Sequence, residues 1–186
     1  MNRSEILAAL VSLGERLASQ GVLADLYLVG GAAMALAYDD RRSTRDIDAV
    51  FVPKMVVYEA AAQVAEEHGL PQGWLNDGVK GFLLGPDAWP TEILDLPGLR
   101  VEVASPQTVL VMKCLAHRIG EDDQDVRLLA QRLALTSAAA VLDLVEQVAG
   151  QRLLTPQVQF FVEAVLDETG WGDEGARDPA GEQGLR

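Results

Sequence analysis

Asp46 and Asp48 stand one residue apart in "STRDIDAVF", residues 43–51, where Ile47 and the run Ala49, Val50, Phe51 and Val52 read as a strand. Side chains at i and i+2 of a strand share a face, so the two carboxylates would lie side by side. Like charges so placed repel unless a cation, a basic group or open water covers them. One explanation is a solvent-facing strand edge, since an Asp-x-Asp pair is common by chance. The other is a cation site. A third acid, Glu102 in "RVEV", lies on a second expected strand with Val101 and Val103 on its opposite face. Three acids converging on one face are a poor structural arrangement and a good hard-metal site. Mg2+ takes one or two carboxylates with waters and substrate phosphates, and a pair of such ions clamps the attacking and leaving oxygens of phosphoryl-type transfer. Glu102 has a plainer explanation as an exposed strand residue paired with Arg100.

Gly30 and Gly31 end the apolar stretch "LYLVGG" and precede "AAMALAY". Glycines between a strand and a helix leave backbone N–H groups free at a positive dipole end, which suits a phosphate; they equally suit a tight turn or close helix packing. Arg41, Arg42 and Arg45 form the densest basic cluster of the chain, directly before the aspartates. They either pair with Asp39 and Asp40 or hold phosphates, and their position beside the acids favours the second. Lys113 interrupts the apolar "TVLVM" and "CLA", so it either snorkels from a buried helix or projects into a polar cavity. His117 lies one turn further on the same side. Asp122 and Asp125 open the next helix, where they either complement its dipole or join the site. Trp74, Asn76 and Asp77 have no evident mechanism beyond a turn with a buried tryptophan.

The elements that must position these residues follow from periodicity and caps. Residues 3–19 are an amphipathic helix with Asn2 and Glu5 as a capping box. A strand over 26–31, the glycines, a helix, a basic loop, the strand 46–52 and a helix over 55–68 come next. The Gly- and Pro-rich "LPQGWLNDGVKGFLLGPDAWP" yields only a short strand near Phe82 to Leu84, then "TEILDLPG" reads as strand and turn and "LRVEVAS" as an alternating strand. Ser105-Pro106 starts a helix through Arg118, helices follow over 123–135 and 137–149, and Thr155-Pro156 starts another. The order predicts an α/β fold, a small mixed sheet flanked by helices and followed by a C-terminal helical bundle. Its expected parts are a core over 1–104, helices packed on it over 105–169, and a disordered acidic tail over 170–186.

The chain has 186 residues, 49% hydrophobic and 23% charged, enough for a sizeable core. Its net charge of −13 repels nucleic acid overall, so a polyanion must meet a local basic patch. Cys114 alone cannot form an internal disulfide, no signal peptide is evident, and no apolar run approaches the ~20 residues of a membrane span. A cytoplasmic location without membrane partners is the expectation.

Taken together, "VGGAAMALAYDDRRSTRDIDAVF" and "VEVASPQTVLVMKCLAHRIGEDDQDVRLL" resemble the minimal nucleotidyltransferase superfamily, and within it the abortive-infection toxins of type IV toxin-antitoxin systems. The resemblance covers residues 25–130. It implies a polymerase beta-like sheet and Mg2+-dependent transfer of a nucleoside monophosphate from an NTP to a hydroxyl of RNA, tRNA included, or protein. It implies metal ligation by Asp46, Asp48 and Glu102, two Mg2+ ions, a triphosphate cradle at Gly30 and Gly31, a functional lysine at Lys113, phosphate or nucleotide contacts at Arg41, Arg45 and Asp125, and a cognate antitoxin as partner. Two departures stand out. Gly31 stands where relatives carry serine, and the spacer from Ala32 to Arg45 is a little long. The alternatives are an aminoglycoside-type small-molecule nucleotidyltransferase, which the acidic charge favours, and a binding module that has lost catalysis, which the altered phosphate loop favours.

Overall fold

The computed structural model describes residues 1–167, so the expected tail from 170 lies outside the described residues. Helix α1 (Arg3–Ser19) starts at the expected capping box: Asn2 accepts from the Glu5 N–H and Glu5 from the Asn2 N–H. Its stripe of Ile6, Leu10, Leu13 and Leu17 is fully buried. Strand β1 (Ala24–Leu28) leads into α2 (Gly30–Ala33), which continues as a π-helical turn over Met34–Tyr38. Strand β2 (Ile47–Val52), helix α3 (Lys54–His68) and a two-residue strand β3 (Leu75–Asn76) follow. Then come β4 (Thr91–Leu96), β5 (Leu99–Val103) and helices α4 (Pro106–Ala116), α5 (Asp123–Arg132), α6 (Ala138–Ala149) and α7 (Pro156–Asp167).

The five strands form one mixed sheet in the order β3-β2-β1-β5-β4. β1 runs antiparallel to β2 and parallel to β5, and β3 lies parallel to β2. Alternation gives the sheet two unlike faces. Leu26, Leu28, Ile47, Ala49, Phe51, Val101 and Val103 are buried on one face, with α1 and α3 packed on that side. The other carries Asp25, Tyr27, Asp48, Val50, Val52, Arg100 and Glu102, all partly or fully exposed. Helix α4 starts at the Ser105 cap and packs against α2, α5, α6 and α7. Buried side chains run continuously from Ile6 and Leu28 to Val109, Val126, Val141 and Phe161, so the parts on either side of residue 104 share one core. Among the described residues no helix is long and apolar enough to cross a membrane.

Three local expectations need correction. The stretch near Phe82 to Leu84 is not a strand: Gly78–Phe82 forms a 3-10 turn and Leu83 and Leu84 follow it without regular structure. Leu75–Asn76, read only as irregular, is the edge strand instead. Helix α4 stops two residues before Arg118, because His117 takes a left-handed φ of 39° and caps it.

Candidate active site

Asp48 is the second residue of β2 and Asp46 the residue before it, and the loop feeding them is held at both ends. Thr44 takes its place through its N–H to the Met1 carbonyl (2.9 Å) and its hydroxyl to the Asp46 carbonyl (2.9 Å). Asn76 on β3 lies opposite Asp48 in the parallel ladder, and its Nδ2 donates to Asp46 Oδ2 at 3.1 Å. Burial first, and the neighbouring Asp46 carboxylate second, push the Asp48 carboxyl above its usual range; the Asn76 amide and Arg118 pull the other way. The pair is thus an electrostatically uncomfortable one, as its spacing suggested.

Gly30 and Gly31 prove to be glycines for separate reasons. Gly30 has φ 59°, and a Cβ there would lie 3.5 Å from Asp48 Oδ2, so its bareness leaves backbone beside the carboxylate. At Gly31 a Cβ would come within 2.7 Å of Thr44 Oγ1, so any side chain there would have to displace Thr44. The bare backbone of Gly31 thus packs against Thr44 on the loop that leads to the aspartates.

The cations sort differently from their order in the sequence. Lys113 is buried, with Nζ 2.5 Å from Asp122 Oδ1 and 2.7 Å from Asp125 Oδ2. Its charge is largely spent on that pair. Arg42, between the two arginines expected to bind phosphate, reaches Asp125 Oδ1 at 2.5 Å and ties the loop before Asp46 to α5. Arg41 pairs locally with Asp39 at 3.1 Å, and both Arg41 and Arg45 are exposed. Arg118 donates to both oxygens of Asp122 (2.8 and 3.1 Å) and lies 3.6 Å from Glu121 while staying 57% exposed, and it lines the same cleft as Asp48.

Asp48, Gly30, Lys113, His117 and Arg118 open onto one cleft of about 630 Å³. Its remaining walls are apolar: Val79, Phe82, Leu83 and Leu84 on one side, Met112 and Leu115 on α4, and Leu153 and Val158 beyond. Such a cleft, with one polar charged end and apolar walls, suits a small ligand that is itself charged at one end.

Glu102 does not join this group. It faces the open side of the sheet as expected, but pairs in register with Tyr27. Asp48 instead accepts through its carbonyl from the Val29 N–H, and the residue at that level is Ala104, just past the end of β5, whose N–H donates to the Leu28 carbonyl. Glu102 therefore lines a second cleft of about 440 Å³ with Asp25, Tyr27, Val50, Glu92 and Arg100. Among the described residues no three acids, histidines or cysteines stand close enough to hold a metal ion together. The aspartate pair alone still fits Mg2+, which needs only one or two protein carboxylates and takes its other oxygens from water and substrate. Arg118 was given no role in the sequence, and Arg42, read with its neighbours as a phosphate or Asp39/Asp40 partner, pairs instead with Asp125 on a later helix.

A family model described as "Nucleotidyltransferase of unknown function (DUF6036)" matches residues 6–143, a span that holds every residue named for the site from Gly30 to Asp125. No curated protein and no solved structure matches the chain.

Proposed function

The chain belongs to this family of nucleotidyltransferases of unknown function, and on that premise we propose that it moves a nucleoside monophosphate from an NTP to an acceptor hydroxyl with Mg2+. The observation that carries the reading is Asp48, with the Asp46 carboxylate beside it, at the charged end of a mainly apolar cleft. In this reading Asp46 and Asp48 hold Mg2+, which when bound offsets phosphate charge and polarises the phosphoryl oxygens. Gly30 lets the phosphates approach Asp48 closely, and Arg118 takes up charge that develops on the departing pyrophosphate. The base and sugar occupy the apolar walls between Leu83 and Met112.

The acceptor hydroxyl attacks the α-phosphorus, the bond to the pyrophosphate oxygen breaks, and pyrophosphate leaves. The acceptor lies across the open sheet face beyond Tyr27, where Glu102 takes its proton. The resemblance to abortive-infection enzymes supports an RNA or protein hydroxyl as acceptor and a toxin role with a cognate antitoxin. A small cationic acceptor is the second reading, favoured by Asp25, Glu92 and Glu102 around the acceptor cleft and by the net charge of −13. The test is Mg2+-dependent pyrophosphate release from each NTP in the presence of total RNA, total protein or an aminoglycoside panel. Release stimulated by one acceptor class identifies it. Nucleotide binding without release from any mixture would leave a non-catalytic binding module.

A further inference from the structure

Trp74-Leu75-Asn76-Asp77 has no place in the reaction as proposed, yet it forms the strand beside the aspartates. We infer that Asn76 is a positioning residue, an uncharged side chain that holds the Asp46 carboxylate in place beside Asp48 so that the two receive a divalent cation. The inference rests on the proposed metal role of the pair. Asn76 Oδ1 accepts from the Gly78 N–H at 3.0 Å, which turns its amide nitrogen toward Asp46 Oδ2, 3.1 Å away, while its backbone lies opposite Asp48 in the ladder. The strand carrying it is anchored on both sides. Before it, the Ile47 N–H donates to the Trp74 carbonyl at 2.6 Å and the buried Trp74 indole to the Ala61 carbonyl at 2.9 Å. After it, Asp77 receives the Tyr58 hydroxyl (2.6 Å), Lys54 (2.6 Å) and Lys80 (3.1 Å). An amide is suited to this task because it hydrogen-bonds a carboxylate of the pair without neutralising it. A lysine at the same place would occupy the charge that the cation needs.

Groups that orient metal ligands typically contribute 10–100-fold to metal affinity. The test is Mn2+ binding to the full chain without nucleotide, followed by electron paramagnetic resonance, for wild type, Asp48→Asn, Asn76→Ala and Leu75→Ala. Leu75 is buried on the same short strand and touches neither carboxylate through its side chain, so Leu75→Ala reports loss of strand packing alone. The expected result is binding by wild type, none by Asp48→Asn, about 10–100-fold weaker binding by Asn76→Ala, and a lower Tm with unchanged affinity for Leu75→Ala. Should Asn76→Ala not fold, Asn76→Ser replaces it, since a serine hydroxyl can still accept from Gly78 but is too short to reach Asp46. Wild-type affinity in the Asn76 variant, or a loss matched by Leu75→Ala, overturns the inference while leaving the metal reading intact. No Mn2+ binding by wild type overturns both.

Discussion

Burial and Asp46 hold the Asp48 carboxyl above its usual range, so the folded chain keeps this proton more tightly than the unfolded chain does. The stability linked to Asp48 is therefore present at low pH and is lost as pH rises from the ordinary carboxylate pKa through the raised one. Asp48→Asn should make the metal-free protein more stable at neutral pH, by up to about 1 kcal/mol given the half-exposed setting, with the gap closing below about pH 4. Thermal denaturation across pH in chelator checks this; a less stable variant at neutral pH would contradict it. Asp77 works in the opposite direction, because Lys54, Tyr58 and Lys80 hold its carboxyl far below the usual range and its contribution is lost only in strong acid. Lys113 and Arg118 separate in the same way by what they touch. Lys113→Met leaves Asp122 and Asp125 buried with less compensation and should cost about 3–5 kcal/mol in denaturant unfolding. Arg118→Ala leaves Asp122 with Lys113 alone, should cost about 1–3 kcal/mol, less than Lys113→Met, and should raise the KM for nucleotide roughly 10-fold for the loss of one charged contact. An Arg118 variant that unfolds, or a Lys113 variant that is stable but inactive, would reverse the two assignments.

Among the elements, β5 decides what Glu102 can do. Its register with β1 keeps Glu102 level with Tyr27 and outside the aspartate pair, in the second cleft. Glu102→Gln should lower kcat by about 10²-fold or more if it takes the acceptor proton, while leaving Mn2+ affinity at the wild-type level. A drop in metal affinity would mean that Glu102 completes the metal site after all. How much of this was legible in the sequence depended on range. The α1 capping box, the Ser105 cap and the face of Glu102 are properties of neighbouring residues, and alternation or cap chemistry reveals them. The level of Glu102 relative to Asp48 is not, since a two-residue period gives the face of a strand and not its register. β3 escaped notice because two residues carry no period, and its pairing with β2 comes from the distant Trp74 anchor. Gly31 read as a phosphate glycine because the sequence does not display the approach of Thr44.

At the scale of the molecule, one sheet carries its core on one face and its chemistry on the other. The large cleft and the acceptor cleft meet along the open face of β2, with Asp48 in one and Val50 in the other. This arrangement, rather than the net charge of −13, sets what can bind. If a nucleotide meets Arg118 as proposed, its affinity should fall with salt much less steeply than that of a protein lined with many phosphate contacts. Fluorescent NTP binding between low and physiological salt checks this, and a steep loss would place the phosphates on the exposed Arg41 and Arg45 instead. The most direct test of nucleotidyl transfer uses one NTP labelled at the α-phosphate and, in parallel, at the γ-phosphate. With Mg2+ and the responsive acceptor, the α-label should move to the acceptor and the γ-label should leave as pyrophosphate, and both should vanish in Asp48→Ala. Transfer of the γ-label, or transfer that survives Asp48→Ala, would contradict the account.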